Sequence, residues 1–214
     1  MKPTNFIFEE SEGIDLAVSS EGKHVIIGAN RNHLNNSSAC LVGVYKLENR
    51  QWTQIGDYLT SDEPGNHFGY KVAISPMGNR VAISAPGFRD NLGLVRVFEY
   101  KNDEWQPLGN DIIGKGAGSF LGTNISLCNN EKLIAISGGL SGEFNSSAVY
   151  ELVNGFWEQK GRNFHRHEIV SLSNDGSQIE VSTVFEPDNQ VYRKEVKTFV
   201  WKNEDWEEVV NFCQ

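Results

Sequence analysis

Long apolar runs are missing from this 214-residue chain. None approaches the roughly 20 residues that a helix needs to cross a bilayer, so no helical membrane span is expected. Met1-Lys2-Pro3-Thr4-Asn5-Phe6-Ile7-Phe8-Glu9-Glu10 holds no apolar segment of secretory-signal length, which implies an intracellular, cytoplasmic chain. Cysteine is scarce. The three present, Cys40, Cys128 and Cys213, form no CxxC pair and are odd in number, so free thiols in a reducing compartment are expected. Basic residues are also few, 19 Lys and Arg against 28 Asp and Glu, for a formal net charge of −9. Arg31, Arg89, Arg162 and Arg166 are scattered. Phosphate binding leans on clustered cations, so nucleic acid is set aside as a partner. Asn35, Asn36, Asn124 and Asn145 open N-glycosylation patterns, which without a secretory signal read as polar loops and turns.

Periodic strands and turns fill the chain instead. Phe68-Gly69-Tyr70-Lys71-Val72-Ala73-Ile74-Ser75 and Arg80-Val81-Ala82-Ile83-Ser84-Ala85-Pro86 alternate apolar with small or polar residues across the turn Pro76-Met77-Gly78-Asn79. That period is a strand's, not a helix's. The same unit occurs four times. Trp52, Trp105, Trp157 and Trp206 lie 53, 52 and 49 residues apart. Tyr45, Phe98, Tyr150 and Phe199 stand seven residues before them, and Leu47, Tyr100, Leu152 and Trp201 five before. Upstream, Leu16-Ala17-Val18-Ser19, Val72-Ala73-Ile74-Ser75, Ile125-Ser126-Leu127-Cys128 and Val170-Ser171-Leu172-Ser173 share one pattern. Six residues after each comes Val25, Val81, Ile134 or Ile179. The intervening turns contain Glu21-Gly22, Met77-Gly78, Asn129-Asn130 and Asp175-Gly176, as antiparallel hairpins require.

Four strands per unit, repeated every 50 residues or so, predict a β-propeller. The expected architecture is all-β: one four-bladed propeller of four-stranded antiparallel blades over residues 1–214, with repeats at about 10–60, 61–113, 114–161 and 162–212. Small residues on one strand face let blades approach closely, and the tryptophans are expected to fill the gaps between them. Asn5-Phe6-Ile7-Phe8 belongs to no complete repeat and is expected to close the ring beside the last blade, near Phe212.

Phe68-Gly69 followed by Ser84-Ala85-Pro86 resembles the FG-GAP repeat of integrin-alpha-type β-propellers, with echoes at Gly28-Ala29-Asn30, Phe120-Leu121-Gly122 and Ser137-Gly138. The fuller pattern, a W-x-Q-x-G start with R-V-A-I-S-A-P, is similar to repeats in uncharacterised proteins of protists and large DNA viruses. The resemblance implies a propeller used for interaction, with a virion as an alternative location. Integrin-type repeats often carry a calcium loop between the first two strands. Here Ser75-Pro76-Met77-Gly78-Asn79-Arg80 takes that place without carboxylates, and Asn174-Asp175-Gly176 keeps one acid. Calcium takes six to eight oxygen ligands, so no metal and no cofactor are expected.

Chemistry-bearing patterns are thin. His165-Arg166-His167-Glu168 supplies two histidines on one strand side but too few ligands for zinc. Gly114-Lys115-Gly116-Ala117-Gly118-Ser119 lacks the order and the following helix of a phosphate loop. No G-x-S-x-G elbow occurs, and no catalytic constellation is expected. Function then falls to the loops 30–39, 60–67, 86–91 and 138–145. The candidate partner-binding residues are Arg31, His33, Asp62, His67, Phe88, Arg89, His165 and His167. The reading is a non-catalytic module that binds a protein partner through loops on one face. A glycan or small ligand is the alternative, with Phe88 and Phe144 as its aromatics. A hydrolase or lyase at the central channel is a third, resting on the His165 region.

Overall fold

Each repeat forms two hairpins, and the residue that starts each first turn explains why. Ser19, Ser75, Cys128 and Ser173 donate their N–H groups to the carbonyls of His24, Arg80, Leu133 and Gln178, at 3.0, 2.8, 3.2 and 2.9 Å. The three serines also accept a bond on Oγ from the N–H of that same partner, at 3.0, 3.1 and 3.0 Å. A small hydroxyl residue at this place therefore closes the turn twice.

The computed structural model describes residues 11–32, 40–61, 63, 65–128, 132–139, 146–165, 169–185 and 193–209. These form four antiparallel sheets in chain order. The first holds β1 (Ser11–Val18), β2 (His24–Asn32), β3 (Leu41–Glu48), β4 (Gln51–Gln54) and β5 (Leu59–Thr60). The last two share one edge of β3. The second holds β6 (Val72–Ile74), β7 (Arg80–Ala85), β8 (Leu94–Lys101), β9 (Glu104–Pro107) and β10 (Ile112–Ile113). The third holds β11 (Asn124–Leu127), β12 (Leu133–Ser137), β13 (Ser146–Val153) and β14 (Phe156–His165), the last a single bulged strand in place of the split outer pair. The fourth holds β15 (Ile169–Leu172), β16 (Gln178–Phe185), β17 (Arg193–Lys202) and β18 (Asp205–Glu208).

Apolar side chains fill the spaces between successive sheets. One cluster joins Ile26, Val42 and Val44 of the first sheet to Val72, Ile74, Val81, Ile83 and Phe98 of the second. A second joins Ala73, Ala82, Val95 and Val97 to Ile125, Ile134 and Ile136 of the third. A third joins Leu133, Ala135 and Val149 to Ile179, Val181 and Phe199 of the fourth. The rule is regular: small and medium residues on the trailing face of one sheet meet larger ones on the leading face of the next. Among the described residues no such cluster joins the fourth sheet back to the first, and the ring is not closed. The proposed closing segment, Asn5–Phe8 with Phe212, lies outside them.

A tryptophan crosses each of the three interfaces. The indole N–H of Trp105 donates to the carbonyl of Ile55 at 2.9 Å, Trp157 to Leu108 at 2.8 Å, and Trp206 to Lys160 at 3.0 Å. Beside each acceptor lies a glycine with positive φ: Gly56, Gly109 and Gly161. A Cβ there would stand 2.6 Å from the Trp105 ring, 2.7 Å from Trp157 and 2.9 Å from Trp206. Gln54 and Gln159 donate to the carbonyls of Gly56 and Gly161 at 3.1 and 2.9 Å, which accounts for the glutamine of the repeat. The tryptophans are not equally deep. Trp157 and Trp206 are buried, at 4% and 0% exposure, while Trp52 and Trp105 are only half-buried.

Large-to-small changes cost in proportion to the packing lost. Trp206→Ala is expected to lower unfolding free energy by about 3–5 kcal/mol, and Trp105→Ala by about half as much. Urea denaturation of the two variants measures both, and equal losses would contradict this ranking.

Candidate interaction face

Antiparallel order in every sheet divides the connections between two ends. The turns after β1, β3, β6, β8, β11, β13, β15 and β17 lie at one end. The longer links after the second strands, and those from one sheet to the next, lie at the other. The described candidate residues belong to these longer links or the strand ends beside them. Arg31 pairs with Glu12 near the end of β2, and His165 pairs with Ser146 at the end of β14. His67, Phe88 and Arg89 lie in the links around the second sheet. His33, Asp62, His167 and Phe144 lie outside the described residues.

The best-built part of this end is the meeting of residues 65–71 with 86–93. Asn66 is buried, at 3% exposure, and anchors it. Its Oδ1 accepts the N–H of Phe68 at 3.0 Å, its Nδ2 donates to Ser61 Oγ, and its carbonyl accepts the N–H of Gly87 at 3.0 Å. Phe68 drops into the core between the first two sheets. Gly69 follows at φ +88 and donates its N–H to Ser84 at 2.9 Å. Its carbonyl comes so close to Gly28 that a Cβ on Gly28 would be 2.5 Å from it. Phe68-Gly69 is therefore a plug and a close-approach hinge, and Leu121-Gly122 plays the same part in the third sheet, with Gly122 at φ +99.

His67 sits at φ +60, its ring so close to Gly87 that a Cβ there would lie 2.9 Å from Cδ2. Phe88, expected as an exposed aromatic for a glycan, is instead 6% exposed and part of the core between the first two sheets. It serves as a floor for Arg89, whose guanidinium carbon stands 4.7 Å from its ring centroid and whose Nε is 3.5 Å from Glu63. Arg89 remains exposed, so this pair contributes little stability. Arg89, Asp90 and Asn91 all have positive φ, 38°, 53° and 61°. Such a run is costly unless its surroundings hold it. Here Asp90, Asn91 and Leu92 carbonyls accept bonds from Gly118, Phe120 and Leu121 at 3.2, 2.8 and 3.1 Å. Ser119 Oγ adds one to Leu92 at 2.7 Å. The glycine-rich link 114–119 is thus a clamp on the neighbouring turn and opens no helix.

Reading the sequence for loops missed three residues of this face: Asn66, Glu63 and Tyr70. Tyr70 is exposed, at 39%, in the turn closed by its N–H on His67 at 3.0 Å, with Lys71 Nζ 6.0 Å from its ring. Its place after Phe-Gly, where the chain turns outward, was the available signal. Lys71 also pairs with Asp15 of the first sheet at 3.0 Å. Burial pushes the Cys40 thiol pKa up, partly opposed by bonds from the Phe68 and His67 backbones. A thiol so held is a packing residue, not a nucleophile. At the opposite end, an open groove of about 310 Å³ lies between the first two sheets, lined by His24, Lys46, Glu48, Met77 and Tyr100. Burial, then Lys46, pushes the His24 pKa below the ordinary imidazole value. Among the described residues no three His, Cys, Asp or Glu side chains converge as metal ligands.

No protein-family model and no curated protein matches the sequence. Solved structures share the fold. A candidate 6-phosphogluconolactonase from Bacteroides uniformis is similar at TM-score 0.59 and 13% identity, over 97% of this chain and 56% of that one. TolB from Acinetobacter baumannii is similar at TM-score 0.55 and 14% identity, over 91% and 43%. The β-propeller domain of the trilobed protease from Pyrococcus furiosus, described as having an open velcro topology, is similar at 0.55 and 12%, over 93% and 58%. The chain thus has a propeller-like all-β fold and spans about half the length of the structures it matches.

Removing a buried amide bonded through both its oxygen and its nitrogen leaves its partners unsatisfied. Asn66→Ala is expected to cost about 2 kcal/mol in urea denaturation, with faster hydrogen exchange at Phe68, whose N–H loses its acceptor. Unchanged exchange there would show that Asn66 does not anchor this face.

Proposed function

We propose that the chain is a non-catalytic interaction module in which the four sheets act as propeller blades, and that it binds a protein partner at the end built by Glu63 and residues 65–70 and 86–91. The observation that carries this reading is the strained Arg89–Asn91 turn, held rigid by bonds to the next link and presenting an exposed arginine on a phenylalanine floor. Arginine and tyrosine dominate protein-interface energetics, and a preorganised turn loses little entropy on binding. Tyr70 and Arg89 supply both residue types at the same end of the second sheet. The burial of Phe88 removes one of the two aromatics on which glycan recognition would rest. The hydrolase or lyase alternative rests on the His165 region, whose side chains lie outside the described residues. The likeness to the Bacteroides protein supports the fold and carries no lactonase chemistry to this chain.

Affinity capture from cell extract with the wild-type chain and a Tyr70→Ala/Arg89→Ala double variant tests the reading. A specific partner should bind the wild type at least about tenfold more tightly, with the two melting temperatures alike. A partner retained equally by the double variant would overturn the placement of the interface.

A further inference from the structure

The three internal interfaces show what a leading sheet face needs. Val72 and Ile74 of β6, at 6% and 8% exposure, are covered by the first sheet, and Ile125 of β11, at 8%, by the second. The same positions in β1 are Leu16 and Val18. They are 61% and 53% exposed. In register beside them in β2, Ile27 and Val25 continue the apolar surface. The first sheet therefore carries the leading-face pattern with no sheet against it among the described residues.

The other end of the stack is different. On the trailing face of the fourth sheet, Glu180 stands where Ala82 and Ala135 meet the next sheet elsewhere, and Thr198 pairs with it where Val97 pairs with Ala82. Val196 on that face is exposed, among polar neighbours. Val210, outside the described residues, takes the sequence place of the tryptophan-accepting glycines at 56, 109 and 161. A polar outer face is how terminal repeats end a stack. Head-to-tail stacking of one copy on another would bury Glu180 against Leu16 and Val18, an uncompensated charge.

We infer that the leading face of the first sheet is a self-association surface, paired with the same face of a second copy about a two-fold axis. Only that arrangement buries Leu16 and Val18 of both copies while leaving both Glu180 side chains in water, and being isologous it closes at two. Area sets its strength. Tyr45 of the third strand is already buried on this face against Tyr58, so the bare part is two strands about 4.8 Å apart and about seven residues long, which at about 3.3 Å per residue cover roughly 220 Å². A standard stable interface uses about 800 Å² per partner. The dimer is therefore weak and reversible. The loop-end interface proposed above lies at the strand ends and stays free in it.

Sedimentation velocity from about 5 to about 500 μM separates the outcomes. The wild-type chain and Val196→Glu should both shift from monomer toward dimer. Leu16→Glu, at a position already in water, should remain monomeric with its melting temperature kept, and Val18→Lys repeats the test should that variant fail to fold. A wild-type chain monomeric throughout would overturn the inference, the face then being left bare or covered from within the chain. Association lost in Val196→Glu but kept in Leu16→Glu would overturn it in favour of head-to-tail stacking.

Discussion

The architecture depends on one contact made three times: a tryptophan from each of the last three sheets laid on a glycine turn at the outer edge of the sheet before it. Sheets stacked face to face otherwise rely on non-directional apolar burial, which sets no register along the strands. The indole N–H bonds to Ile55, Leu108 and Lys160 supply that register. The glycines make it geometrically available, since a side chain at Gly56, Gly109 or Gly161 would meet the ring and strain the backbone. Further bonds gather at the same edge. Asn110 Oδ1 accepts the main-chain N–H of Trp157 at 2.7 Å, and Asp205 accepts the main-chain N–H of Arg162 at 2.9 Å. With the outer edges fixed, the inner strands are brought near enough for Asp15 to accept the Val72 N–H at 2.9 Å. The loop end inherits its rigidity from this stack.

Much of this was legible in the sequence because repetition exposes it. The tryptophan series, the aromatic seven residues before it and the apolar-small alternation implied four sheets of antiparallel strands, which is what forms. The small residues at the turns were legible only as a pattern, and the double bond at Ser19, Ser75 and Ser173 gives their cause. Where sequence reasoning failed, the cause was tertiary. Phe88 lies in a polar link and looked exposed, yet the turn at Arg89–Asn91 folds it into the core. Asn66 looks like any loop polar residue until its three bonds are seen together. Ring closure was expected from the count of repeats, but a repeat count carries no information on curvature, which follows from how far each sheet rotates on its neighbour.

The two ends of the stack carry opposite chemistry, and this relates fold to function. Sheet faces between neighbours are committed to packing, so the proposed recognition falls to strand ends and terminal faces. At the strand ends, backbone strain in Arg89–Asn91 is offset by bonds to residues 118–121. On the terminal faces, Glu180 keeps one end in water while Leu16 and Val18 leave the other apolar. One scaffold thus separates a polar, preorganised surface from an apolar, sheet-like one.

The central claim is that glycine and tryptophan act as a pair across sheets, and a double-mutant cycle on Gly109 and Trp157 tests it most directly. If the ring and the bare glycine turn are one device, adding a methyl at Gly109 hurts mainly because Trp157 is there. Gly109→Ala and Trp157→Ala should then be strongly non-additive, with a coupling of at least about 1 kcal/mol, the double variant losing less than the sum. Losses that add within about 0.5 kcal/mol would mean that the two residues act independently and that the stack is held by apolar burial alone.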